Sequence, residues 1–208
     1  MFLDWGLIDY QTALAQQLSV LASVVAGTSD DKIIFCSHPP IVTIGRGTMP
    51  GDVFAWEGST AEIQRGGRAT YHGPSQLVIY PIINLQRPNA LGKKKLIGIR
   101  AHIKFMEDAV INVLKDLGIK ATGKIGKDET GVWIGDKKIC SIGIGVKRWV
   151  TYHGLALNVD HDPQAFQGLN PCGFRSNTMI SVEELLGYKV SRAGLIEKFQ
   201  SHFENFRD

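Results

Sequence analysis

Apolar positions recur along the chain at two periods, and the change of period divides it into elements. Tyr10, Leu14, Leu18, Leu21 and Val25 fall three and four apart and Gly27 follows them, which predicts an amphipathic helix closed by a glycine. KIIFCS (32–37) and IVTIG (41–45) are apolar runs of strand length, parted by Pro39 and Pro40, which do not fit inside a sheet. AEIQR (61–65) predicts another strand, broken by Gly66 and Gly67. The run 77–85 is apolar almost throughout and predicts a strand buried on both faces. Residues 87–98, rich in proline, glycine and lysine, read as a loop. Helical spacing returns with Phe105, Ala109, Val110, Val113, Leu114 and Leu117, and Gly118 ends it. Three more strands are predicted at GVWIG (131–135), KICSIGIGV (138–146) and YHGLALNV (152–159), with Gly135 and Asp136 as a hairpin turn. Ser181 and Glu184 have capping-box spacing. A last helix from about residue 191 carries Leu195, Ile196, Phe199 and Phe203.

Strands and helices do not alternate regularly in this order. The pattern predicts an α+β fold, helices against a mostly antiparallel or mixed sheet, and not a doubly wound one. At 208 residues, one domain spanning 1–208 is expected. Composition narrows the class without changing that picture. With 44% hydrophobic and 21% charged residues the chain suits a globular protein, and no apolar run nears the ~20 residues of a membrane span. MFLDWGLIDY at the start has neither a basic start nor a small-residue cleavage site, so it does not read as a secretion signal, and a cytoplasmic location is expected. A net charge of +3 is too mild to argue for nucleic acid. Lys93, Lys94 and Lys95 form the one compact basic run, either a solvated loop or a docking patch.

The candidate chemistry sits in three stretches. RGGRATYHGPSQ (65–76) joins two glycines, which admit close backbone approach, to Arg65, Arg68, Tyr71 and His72. It matches neither the phosphate-loop nor the dinucleotide fingerprint. GDKKICSIGIG (135–145) places Lys137 and Lys138 side by side on a strand, so they face opposite ways. If Lys137 is solvated, Lys138 either snorkels to water or enters the interior. NPCGF (170–174) puts Cys172 at the tip of a turn, whereas Cys36 and Cys140 lie in apolar strand patterns. An odd cysteine count without C-x-x-C spacing suits reduced thiols and no structural zinc site. A nucleophilic Cys172 needs a base or cation nearby. TYHG occurs twice, at 70–73 and 151–154, each time before an apolar run, and the flanking sequences do not align, so no duplication is inferred.

Taken in order, HPPIVTIGRG (38–47), RGGRATYHGPSQLVIYPIINL, GVWIGDKKICSIGIGVKRWVTYHGLALNV and NPCGF resemble the lipoyl(octanoyl) transferase, or LipB, family. The likeness runs from about residue 5 to 185. It implies an α/β sandwich on a mixed sheet with packed helices, shared with biotin and lipoate protein ligases. It implies transfer of an octanoyl group from acyl carrier protein to a lysine of lipoyl domains, those of 2-oxoacid dehydrogenases and the glycine-cleavage H protein, the first step of protein lipoylation. Neither ATP, metal nor other cofactor is implied, since the donor thioester is already activated, and neither is a nucleic-acid or membrane partner; a monomer is expected. Cys172 matches the family's acyl-thioester cysteine and Lys138, not Lys137, its catalytic lysine. The substrate-lining positions match Arg65, Gly66, Gly67, Arg68, Ala69, Thr70, Tyr71 and His72, then Ser141, Ile142 and Gly143, then His153, Gly154, Leu155 and Ala156. On this reading the two TYHG segments are two entrances to one acyl pocket. Leu77, Ile142 and Leu155 are expected to line its tunnel, His72 to join backbone N–H groups as an oxyanion donor, and Arg46, Lys147 and Arg148 to join the lysine run in docking the acidic carrier. Ser75 and Cys140 depart from the family's usual glycine and alanine; Ser75 is tolerable if its φ is negative. The rivals are an ATP-dependent lipoate or biotin ligase, a thioester hydrolase, and a non-catalytic acyl-binding module.

Overall fold

The structure is a computed structural model and describes residues 1–86, 98–126 and 128–205. Two sheets form the frame. The larger has seven strands in the order β1-β2-β6-β10-β9-β8-β7, from β1 (Phe2–Leu7), β2 (Lys32–Ser37), β6 (Gln76–Ile82), β7 (Thr122–Lys124), β8 (Gly131–Ile134), β9 (Lys137–Lys147) and β10 (Val150–Asn158). The smaller has the order β4-β3-β5, from β3 (Ile41–Ile44), β4 (Ser59–Glu62) and β5 (Thr70–His72). Only the β1/β2 and β3/β4 pairs are parallel, so both sheets are mixed, as the irregular element order predicts.

Helices cover both faces of the large sheet. α2 (Ile99–Asp116) and α4 (Arg192–Asn205) bury Phe105, Val110, Leu114, Leu195, Phe199 and Phe203 against Leu77, Ile79, Ile139 and Leu157. Burying each such side chain contributes about 1.5–3 kcal/mol, so this face is the main core. α1 (Tyr10–Ala26) packs Leu21 and Val24 on the other face, against Ile34, Cys36, Val78 and Tyr80. In the first turns of α1, Tyr10 and Leu14 meet Ile41, Ala61 and Ile63, which seats the small sheet on that side. α3 (Val182–Leu186) opens with the predicted capping box: Ser181 accepts from Glu184 N–H and Glu184 accepts in return.

Several expectations need correction. The buried face of α1 is Tyr10, Ala13, Gln17, Leu21 and Val24, while Leu18 is exposed. That face admits a polar Gln17 because β10 offers it a backbone N–H (below). The strand expected at 61–65 ends at Glu62, and Arg65 lies beyond it. Residues 70–72, expected in a glycine-rich loop, form β5. β1 went unforeseen because it is a half-buried edge strand with little alternation, and β7 because it is three polar or small residues. The expected loop at 87–98 and the lysines at 93–95 lie outside the described residues, apart from Gly98.

Pro81 sits in β6, which lies between β2 and β10, a position where a central strand normally excludes proline. The β6–β10 ladder runs from Leu155 to Asn158 and resumes only at an isolated bridge between Asn84 and Val150. In the gap, Thr151 Oγ1 donates to the Pro81 carbonyl and accepts from Ile83 N–H, replacing lost main-chain bonds. His153 takes a positive φ of 58° there, and its N–H donates to Gln17 Oε1 at 3.0 Å.

Candidate functional site

A cavity of about 770 Å³ opens between the two sheets. The small-sheet side supplies Arg65, Gly66, Gly67, Arg68, Thr70 and His72; the large sheet supplies Lys138, Ser141, Ile142, Gly143, His153, Gly154, Leu155 and Ala156; Cys172 completes it. Of the positions singled out in the sequence, Ala69 and Tyr71 are buried but not on its wall, and Leu77 faces the α2 core instead. Tyr10, Val78 and Tyr80 line it and carried no signal beyond apolar spacing.

Cys172 stands in a 3₁₀ turn, Pro171–Gly173, with left-handed backbone (φ 54°, ψ 21°). Such a conformation costs a residue other than glycine about 1–3 kcal/mol and persists only where its surroundings impose it. Here Cys172 N–H donates to the Ala69 carbonyl at 2.9 Å, Gly173 N–H to Asn170, and Phe174 N–H to Pro171. Gly173 leaves room for the Arg68 guanidinium, which is held by Asp52 and lies 3.7 Å from Asp128. Cys172 Sγ is 3.9 Å from Ser141 Oγ. Cys36 and Cys140 are fully buried, and burial pushes both thiols well up; Cys172 is the partly exposed one of the three.

Strict alternation would put Lys138 and Ser141 on opposite faces of β9, since they are an odd number of residues apart. The pairing with β8 slips between Val132 and Trp133, which leaves Ile139 as an extra residue and restores Lys138 to the cavity side. Its stem runs over Gly131, where a Cβ would sit 2.9 Å from Lys138 Cε. Lys138 is 1% exposed, so it is interior and does not snorkel. Its ammonium makes a long 3.4 Å contact to the Asp128 carbonyl and lies 5.5 Å and 5.8 Å from the Trp133 and Phe174 rings. Lys137 turns outward to the Asn177 carbonyl. A bridge between Lys138 and Met179 and the Ile180 N–H to Lys138 carbonyl bond tie the cysteine-bearing segment to β9.

Arg65 is buried, and all four terminal N–H groups are spent: Nη1 on the Gly66 and Arg68 carbonyls, Nη2 on the Thr43 carbonyl and hydroxyl. It therefore frames the glycine loop and supplies charge, and does not present its fork to a substrate. Burial holds its pKa below the usual range.

His72 belongs to a relay whose direction is set at one end. The Ile180 carbonyl can only accept, so Asn158 Nδ2 donates to it (3.1 Å). Asn158 Oδ1 then accepts from Gln76 Nε2 (2.9 Å), and Gln76 Oε1 accepts from His72 Nδ1–H (3.2 Å). His72 Nε2 is left with a lone pair. Burial, the other histidines and Arg65 keep the ring neutral. It is an acceptor, and the expectation that it donates to an oxyanion is withdrawn. His38 is oriented the same way: Nδ1–H donates to the Ile8 carbonyl at 2.8 Å and Nε2 accepts from Tyr80 at 2.7 Å. Burial pushes His153 down to about 3, so it too is neutral. Ser75 is not among the residues of positive φ, and its hydroxyl donates to Asp162 at 3.3 Å.

With this geometry described, comparison with known proteins decides the family. Residues 9–204 match the lipoyl protein ligase A/B catalytic domain. The octanoyltransferase of Bdellovibrio bacteriovorus is 46% identical over 96% of this chain and 95% of its own. The chain belongs to the LipB-type octanoyltransferases of the lipoyl protein ligase A/B family. Its fold is that of lipoate and biotin ligases. An ATP-bound lipoate-protein ligase A superposes with a TM-score of 0.76 at 18% identity, covering 98% of this chain and 83% of that one. The biotin- and ATP-bound biotin protein ligase of Aquifex aeolicus superposes with 0.58 at 12% identity, covering 99% and 68%. This octanoyltransferase is thus an acyl-transfer enzyme of protein lipoylation.

Proposed function

We propose that the transfer runs through a thioester on Cys172, with octanoyl-acyl carrier protein as donor and a lysine of a lipoyl domain as acceptor. What carries the reading is that the one partly exposed cysteine shares a cavity with a buried lysine. Lys138 takes the thiol proton as sulfur attacks the octanoyl carbonyl. The tetrahedral adduct collapses, and the carrier thiol leaves with that proton. The acceptor lysine then attacks the acyl-enzyme, its proton passes through Lys138, and Cys172 regains its thiol. The donor thioester supplies the activation, so no ATP is consumed. Arg46, Lys147 and Arg148 are exposed and would meet an acidic carrier. The enzyme acts as a monomer in the cytoplasm, on lipoyl domains of 2-oxoacid dehydrogenases and the glycine-cleavage H protein.

Intact-protein mass after mixing with octanoyl-carrier protein tests the mechanism. A hydroxylamine-labile octanoyl adduct is expected on wild type and Cys140→Ala and none on Cys172→Ala. An adduct that survives loss of Cys172, or transfer that requires ATP, overturns it.

A further inference from the structure

Cys172 meets the small-sheet side at Ala69 and the large sheet at Ser141. Its N–H bonds the Ala69 carbonyl, and its sulfur lies against Ser141, which pairs with Ala156 across β9 and β10. Three residues on from Ala69 is His72; three residues back from Ala156 is His153. A strand advances about 3.3 Å per residue, so His72 lies roughly 10 Å along the chain from Ala69, and His153 roughly 10 Å along β10 from the partner of Ser141. Both line the same cavity. The two strands that flank the cysteine therefore carry their histidines to one place. A saturated chain with ~1.52 Å bonds and ~111° angles advances roughly 1.25 Å per bond, so the seven bonds of an extended octanoyl group span about 9 Å. The tail of an acyl group on Cys172 reaches the histidines and little further.

The wall at that depth is unusual. His153 is 3% exposed, its backbone is left-handed, and its Nε2 has no hydrogen-bond partner among the described residues. Gln17, which holds the His153 N–H, has an unpartnered Nε2 as well. His72 stacks on Tyr10, ring centroids 6.1 Å apart, and offers an Nε2 lone pair. We propose that His153, backed by His72, is the chain-length gauge of this enzyme: an eight-carbon chain ends against the rings, and a longer one must force methylenes onto the unpaired imidazole nitrogen of His153. This rests on the proposed function, octanoyl transfer with the acyl group held at Cys172, which the adduct mass on Cys172→Ala tests separately. It also revises the expectation of two entrances: the two TYHG histidines mark the far end of the pocket.

The test is the kcat/KM for transfer to a lipoyl domain from carrier-bound C6, C8, C10 and C12 chains, for wild type, His153→Gly and His153→Asn. Glycine and asparagine both accept a left-handed backbone, so the variants keep the strand's path. Each further CH₂ that can be buried is worth about fourfold, so the C10:C8 ratio should rise about tenfold or more in His153→Gly, and less in His153→Asn, which keeps a polar tip. A ratio unchanged in both variants, with C8 transfer still measurable, overturns the gauge. A loss of folded enzyme lowers all chain lengths together and cancels in the ratio, so a raised ratio supports the gauge and a fixed one overturns it whatever the yield of folded variant. Failure of wild type to transfer any chain would instead overturn the activity on which the proposal rests.

Discussion

The two TYHG segments have one sequence and two structures. The first forms β5, in regular antiparallel register with β3, and its histidine is oriented by a side-chain relay. The second lies in β10 where Pro81 denies a ladder bond; its histidine has φ 58°, and its own N–H to Gln17 ties it to α1. A tetrapeptide does not choose its backbone here. The neighbouring strand does, because an N–H that is missing across a ladder must be replaced from elsewhere. The first histidine is paired at Nδ1 and the second is unpaired at Nε2, yet both reach one cavity.

The largest test of this difference is at the glycines. A Cβ on Gly154 would lie 2.1 Å from the Ile79 carbonyl oxygen and 2.8 Å from Pro81 Cδ, which backbone and ring cannot vacate cheaply. A Cβ on Gly73 would meet the Tyr71 ring near its hydroxyl, a packed side chain that can turn against Trp56 and Phe166 at less cost than main chain can move. Gly154→Ala should cost ~3 kcal/mol or more and Gly73→Ala ~1 kcal/mol by denaturant unfolding. Equal costs would mean that the two segments are equivalent after all.

The amides that serve the two histidines give the next effect. Gln76→Leu strands buried His72 Nδ1 and Asn158 Oδ1 and should cost ~2 kcal/mol. Gln17→Leu strands one backbone N–H but removes an amide nitrogen that is already unpartnered, so ~1 kcal/mol is expected. A reversed order, read from the same unfolding curves, would place the tighter polar frame around the second segment.

The smallest effect is in pH. His153 and His102 are neutral in the fold with pKa values pushed down to about 3 by burial, against 6.5 in the open chain. The unfolded chain therefore binds more protons between these values, so stability is full above 6.5 and falls as pH drops toward 3. At pH 6.0 each such histidine should cost about 0.8 kcal/mol relative to high pH, and His153→Asn should remove its share of that slope. An unaltered slope would mean that His153 gains a proton in the native state.

The motifs were legible as chemistry before they were legible as geometry. Cys172 stood out because it occupies a turn, and Lys138 because it interrupts an apolar strand. The alternation argument that separated Lys138 from Lys137 was sound, but the side Lys138 faces was decided by the bulge at Ile139, which nothing local announces. Tyr10, Gln17 and Tyr80 were read as core spacing or passed over, because their roles come from elements far away in the chain.

By itself the sequence determined the periodicities, the caps, the mixed α+β class and the four stretches that carry the family's chemistry, since these depend on neighbours a few residues apart. The tertiary structure decided the rest: which face of α1 is buried, that Arg65 spends its fork on the Thr43 side chain and on carbonyls, and that two identical tetrapeptides bring their histidines to one cavity. Those outcomes depend on which backbone groups lack partners once the strands are paired, and a chain read along its length does not contain that ledger.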